Sequence, residues 1–181
     1  YLLEVRVGSR DEARFFNFGS QDNYINHATW EAATHAVGGL IDLCGAVARR
    51  ELDSGFALVR PPGHHAEPSQ AMGFCFVSNI ALAARALQAQ GVKRIAILDF
   101  DIHHGNGTQA VVGHDPDVLF LDLHQSNLFP AGSGRIDEIG EGEARGTIVN
   151  APLPPYVDDA GLLALYDRVF EPAMTRFKPE M

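Results

Sequence analysis

Four apolar residues, Ile95-Ala96-Ile97-Leu98, run directly into Asp99-Phe100-Asp101-Ile102-His103-His104-Gly105-Asn106-Gly107-Thr108-Gln109. The run reads as a strand over 94–100, and a strand sends alternate side chains to one face. On that pattern Asp101 and His103 point the same way and can share one metal ion through an oxygen and a nitrogen. A second stretch, Arg60-Pro61-Pro62-Gly63-His64-His65, sets two adjacent histidines after a stiff turn, where they can move protons beside that metal. Together the two stretches suggest metal-assisted hydrolysis.

The remainder alternates strand and helix. Residues 30 to about 52 carry apolar positions at helical spacing, with Thr29 as N-cap. A short buried strand is expected over 56–59, and a helix over 78–90 stopped by Gly91. A short helix over 105–112, strands over 117–123 and 147–151, and a helix over 158–177 capped by Asp158 or Asp159 complete the pattern. Strands separated by helices imply βαβ crossovers, hence an α/β fold with a mostly parallel sheet. Ligands in such sheets sit beyond the carboxyl ends of the strands. His64, His65, Asp101, His103 and His124 are all expected at or just past such ends.

At 181 residues the chain fits one domain with a real core. The net charge of −9, from 23 acids against 14 bases, argues against a nucleic-acid surface and is compatible with a cationic substrate. No apolar run is long enough to span a membrane. Cys44 and Cys75 are too few for a disulfide framework, so a reducing cytoplasm is the default expectation. The opening Tyr1-Leu2-Leu3 has neither an initiator Met nor a signal-peptide pattern, which suggests that something precedes it.

Three blocks in order, Arg60-Pro61-Pro62-Gly63-His64-His65-Ala66-Glu67, Met72-Gly73-Phe74-Cys75-Phe76 and Asp99 through Gln109, resemble the zinc-dependent histone deacetylase and acetylpolyamine amidohydrolase superfamily, in its class II-like, bacterial-type branch. The resemblance covers nearly the whole chain and implies a three-layer αβα architecture truncated at both ends, with 1–181 as part of a single catalytic domain. It implies one catalytic zinc held by Asp101 and His103. The family's third ligand, an aspartate in a Gly-Phe-Asp motif, and its later oxyanion-donating tyrosine would both lie past Met181. On that reading the 181 residues alone are expected to bind zinc weakly and turn over poorly.

The resemblance also implies roles residue by residue. His64 and His65 match the tandem catalytic histidines, the first paired with Asp99 and the second with Asn106. Because an ionised Asp99 favours a charged His64, His65 is expected to be the principal general base and acid. Asp99, Asp101, His103, Asp122 and Leu123 match a structural potassium site, in which Asp122 replaces the family's usual serine. The residue reading alone leaves Asp122 nearly as well explained by a salt bridge to a basic group. Phe74 and Phe129 match the aromatic walls of an acyl-lysine tunnel, Gly73 a carbonyl offered to substrate, and Asp22 a rim carboxylate. His104 is expected to pack or hydrogen-bond rather than ligate. The implied substrate is acetylated lysine in proteins, with acetylpolyamines or a non-catalytic acyl-amine-binding module as alternatives. Oligomerisation is left open.

Overall fold

The computed structural model describes residues 1–10, 16–17 (backbone only) and 22–181. They form two compact units, residues 1–91 and 92–181.

In the first unit, α1 (Leu2–Gly8) precedes a two-residue antiparallel ladder of β1 (Phe16–Asn17) and β2 (Tyr24–Ile25). Two longer helices follow, α2 (Thr29–Ala48) and α3 (Asn79–Ala89), and they pack on each other. Small residues make that approach close, with Ala33, Ala36, Ala81, Ala83 and Ala84 all buried. Val5, Ile25, Ala33, Ala71 and Phe76 build a core beneath Tyr1, Trp30 and Val77.

Three expectations for this unit change. Thr29 is the first helical residue rather than the cap. Its hydroxyl accepts from the Asn26 N–H, while the Asn26 side chain accepts from the Ala28 N–H. Helix α2 stops at Ala48, not near residue 52, because Arg50 turns left-handed at φ 59°. The Arg50 N–H then bonds the Val47 carbonyl and the Glu51 N–H the Ala46 carbonyl, a Schellman closure normally marked by glycine. Residues 56–59 form no strand, and Phe56 and Leu58 are 87% and 90% exposed. A strand needs a neighbour for its backbone groups, and among the described residues no ladder includes this segment.

The second unit holds a parallel sheet in the order β3-β4-β5: β3 (Ile95–Asp99), β4 (Val118–Gln125) and β5 (Ile148–Leu153). Asp99 pairs with Asp122, and Asp122 with Asn150, so polar residues stand level across the ladder. The C-terminal residues lie along β3, where the Ala96 N–H bonds the Met181 carbonyl at 2.8 Å. Helix α4 (Asn106–Val112) links β3 to β4. After β5, α5 (Asp159–Leu165), a π-helical turn (Tyr166–Phe170) and α6 (Glu171–Phe177) form one bent helical stretch. Asp158 caps it by accepting from the Gly161 N–H. The π turn falls just before Pro172, which has no N–H to continue the α-helical ladder.

The period of two along β4 decides which residues meet the chemistry. Leu119 and Leu121 pack with Ala151 and Phe170 under the C-terminal helices. Phe120, Asp122 and His124 therefore face the other side, toward Gly105 at the head of α4. Residues on both faces of β4 are buried, as a strand inside a parallel α/β sheet requires.

Candidate active site

Five of the twelve predicted residues lie in the first unit and seven in the second. In the first unit His64 and His65 lie in the turn after Pro61-Pro62-Gly63 and follow no strand, contrary to the expected strand-end position. Their ring centroids are 3.9 Å apart with planes tilted by 40°. His65 is 4% exposed, and its backbone N–H donates to the Cys75 Sγ at 3.4 Å. The Cys75 thiol in turn donates to the Gly73 carbonyl at 3.3 Å. Gly73 has φ +55°, and a Cβ there would run into the His65 ring at Cδ2. Only glycine satisfies both conditions. Gly73→Ala is expected to lose about 1–2 kcal/mol from left-handed strain alone and more from displacing the imidazole. Denaturant unfolding checks this, and an unchanged midpoint would mean the turn relaxes freely.

Phe74 is 55% exposed and also left-handed, at φ 66°. With Asp22, Tyr24, Arg60 and Phe76 it lines a groove of about 420 Å³. Sequence reasoning missed the neighbour that holds it. Asn23 is fully buried; its Oδ1 accepts from the Phe74 N–H at 3.0 Å and its Nδ2 donates to the Cys75 carbonyl at 2.9 Å. No local pattern could have found contacts that span more than fifty residues.

In the second unit β3 ends at Asp99, so Asp101 and His103 lie in the bend beyond it rather than on the strand. Strand alternation is not what brings them together. The Asp99 Oδ1 accepts from the Asp101 N–H at 3.1 Å, and the Asp101 Oδ1 accepts from the His103 N–H at 2.8 Å. Each carboxylate thus folds the chain two residues ahead, as Asx turns do. The result sets Asp101 Oδ1 3.1 Å from His103 Nδ1, with both side chains about half exposed. Among the described residues no group of three or more His, Cys, Asp or Glu side chains is gathered as a metal site. The pair itself suits zinc. Carboxylate oxygen and imidazole nitrogen are ordinary zinc donors, and two donors at about 2.0–2.1 Å from a tetrahedral ion stand roughly 3.3 Å apart. Phe129 meets the His103 ring edge-on, with centroids 6.4 Å apart.

Behind this pair lies a buried polar network. Asp122 is fully buried; its Oδ1 lies 2.6 Å from His124 Nδ1 and its Oδ2 accepts from the Gly105 N–H at 2.8 Å. The His124 Nε2 faces the Gly134 carbonyl at 3.1 Å. Asp122 thus meets the His124 ring, a basic group only when protonated, and the Gly105 N–H. His124 is the penultimate residue of β4, at the strand end as expected. Gly105 carries the closest approach. A Cβ there would sit 2.5 Å from Asp99 Oδ2 and 3.0 Å from Asp122 Oδ2, so two carboxylate oxygens converge on one point. Leu123 packs against the helical side of the sheet, and Asn106 is buried at the first position of α4. His104 hydrogen-bonds Ser133 at 2.9 Å and Gln109 at 3.0 Å, as a supporting residue should. Burial pushes its imidazole below the ordinary value, against the pull of Asp122.

A parallel sheet that carries a carboxylate and an imidazole just past a strand end is an α/β fold of the ligand-binding kind. The histone deacetylase domain model matches residues 1–181, and the chain belongs to that family. It is 42% identical over 177 residues to histone deacetylase 14, chloroplastic, of Arabidopsis thaliana, covering 94% of this chain and 42% of that protein. The crystal structure of the HDA15 HD domain superposes with a TM-score of 0.93 at 37% identity, over 98% of this chain and 51% of that one. The acetylpolyamine aminohydrolase of Burkholderia pseudomallei superposes with a TM-score of 0.85 at 30% identity, over 99% of this chain and 59% of that one. The chain thus spans about half the length of the relatives it matches. Among the described residues no helix is long and apolar enough to cross a membrane.

Proposed function

We propose that this chain is part of the catalytic domain of a zinc-dependent amidohydrolase that removes acetyl or other short acyl groups from lysine side chains of proteins. The observation that carries the reading is the 3.1 Å pairing of Asp101 Oδ1 with His103 Nδ1, in a chain that the deacetylase family matches end to end. Asp101 and His103 would hold the metal. When bound, zinc supplies a polarised amide carbonyl and an acidified water.

The chain's own residues do the rest. His65 accepts a proton from the attacking water and returns it to the leaving amine. Its buried ring, stacked on His64 and bounded by Gly73, suits that task because it is oriented before substrate arrives. His64 assists His65 electrostatically, and Asp99 and Asn106 keep the supporting roles that the family resemblance implies. Phe74 and Phe129 are each assigned as an aromatic wall for the aliphatic stem of the substrate, Gly73 as a carbonyl offered to it, and Asp22 as a rim carboxylate. Asp99 and Asp122, with Asp101, His103 and Leu123 beside them, would hold a second, hard cation such as potassium. The pairing of Asp99 with Asp122 across the β3–β4 ladder supports that assignment.

Acetylpolyamines are the second reading, favoured by the likeness to the Burkholderia enzyme. The test uses the full-length protein, stripped with a chelator and reloaded with zinc. Hydrolysis of an acetyl-lysine peptide should disappear on stripping and return with zinc. Turnover of acetylspermidine alone would move the substrate to small amines. Hydroxamate binding without hydrolysis of either would make the protein an acyl-amine-binding module.

A further inference from the structure

We propose that Asn23 is a positioning residue for substrate selectivity: its side-chain amide holds Phe74 in the strained conformation that presents the ring to the groove. A phenylalanine with φ 66° lies in a region that L-residues other than glycine, asparagine and aspartate rarely adopt. Phe74 follows Gly73 at φ +55°, and the Cys75 N–H closes the turn on the Met72 carbonyl at 2.9 Å. Positive φ at both central residues is the mark of a type I′ turn, which favours Asn-Gly and Gly-Gly rather than an aromatic residue. Such strain persists only where the surroundings over-determine it.

Asn23 supplies that determination. It grips the turn on both sides of the Phe74–Cys75 peptide, accepting at 3.0 Å and donating at 2.9 Å. It is 0% exposed, so neither bond competes with water, whereas the Phe74 ring is 55% exposed and free to meet a ligand. An amide offers an acceptor and a donor on two separate atoms without charge, which lets one side chain make both bonds at once. Asn23 acts through Phe74, and the inference rests on the reading of Phe74 as a wall of the acyl-amine site.

The test compares wild type, Asn23→Ala and Asn23→Thr in the full-length protein. Asn23→Ala is expected to raise KM for an acetyl-lysine peptide about tenfold, the scale of two ordinary net hydrogen bonds, with kcat within about twofold. Asn23→Thr, whose hydroxyl can make one of the two bonds, should recover part of the loss. Amide hydrogen exchange gives a readout independent of activity. Exchange at Phe74 and Cys75 should accelerate about tenfold in Asn23→Ala while α2 and α3 stay protected. An unchanged KM, an equal fall in kcat, or exchange rising evenly across residues 1–91 would overturn the proposal. If the wild type hydrolyses no acyl-amine, the functional reading fails. The exchange pattern still decides whether Asn23 sets the Phe74 turn.

Discussion

Replacing His65 by alanine in the full-length protein is expected to lower kcat for deacetylation by about 10²- to 10⁴-fold, the usual worth of a positioned general acid–base. Hydroxamate affinity and zinc content should change little, because the variant keeps Asp101 and His103. The structure gives reasons to choose this ring over its neighbour. His65 is almost wholly buried, anchored through its own N–H to Cys75, and boxed by the glycine at 73. His64 is more open to solvent and stacks against it. His64→Ala should therefore cost less than His65→Ala. Measured rates in the reverse order would exchange their roles, and wild-type activity in both variants would end the proton-transfer assignment.

The second large effect is on stability. Asp122→Ala is expected to destabilise the second unit by about 2–5 kcal/mol, because it leaves two buried groups without their partner, the first of them the His124 ring. The Gly105 N–H loses its acceptor in the same stroke. Asp122→Asn keeps the shape and one acceptor, so the expected loss falls to about 1–3 kcal/mol. Urea unfolding of both variants separates these outcomes. Added salt should leave the wild-type contribution nearly unchanged, since a buried pair is poorly screened. A loss below about 1 kcal/mol for Asp122→Ala would show that the contact between Asp122 and His124 carries little weight.

The sheet and the helices were legible because their periods are local. The apolar runs at 95–98 and 118–121 both became parallel strands, and Gly91, Asp158 and Gly105 end or open helices where their chemistry predicts. Helix α2 ran past its true end because a left-handed arginine does the work of glycine there. The segment at 56–59 looked like a strand because apolar residues alone cannot report whether a neighbour exists to pair with them. Asp101 and His103 were paired for the wrong reason. Two successive carboxylate-to-amide bonds, not a pleat, bring them together.

What the sequence determined by itself is the inventory: the order of most strands and helices, the family, and the candidate side chains for the chemistry. Those follow from short-range periodicity and from motif spacing, which no folding is needed to read. Tertiary structure decided the supporting contacts. The grip of Asn23 on the Phe74 turn, the fit of Gly73 against His65, and the burial of Asp122 against His124 and Gly105 link residues up to 52 positions apart. Such contacts depend on how packed elements bring distant backbone groups within 3 Å, and a linear pattern holds no record of that distance.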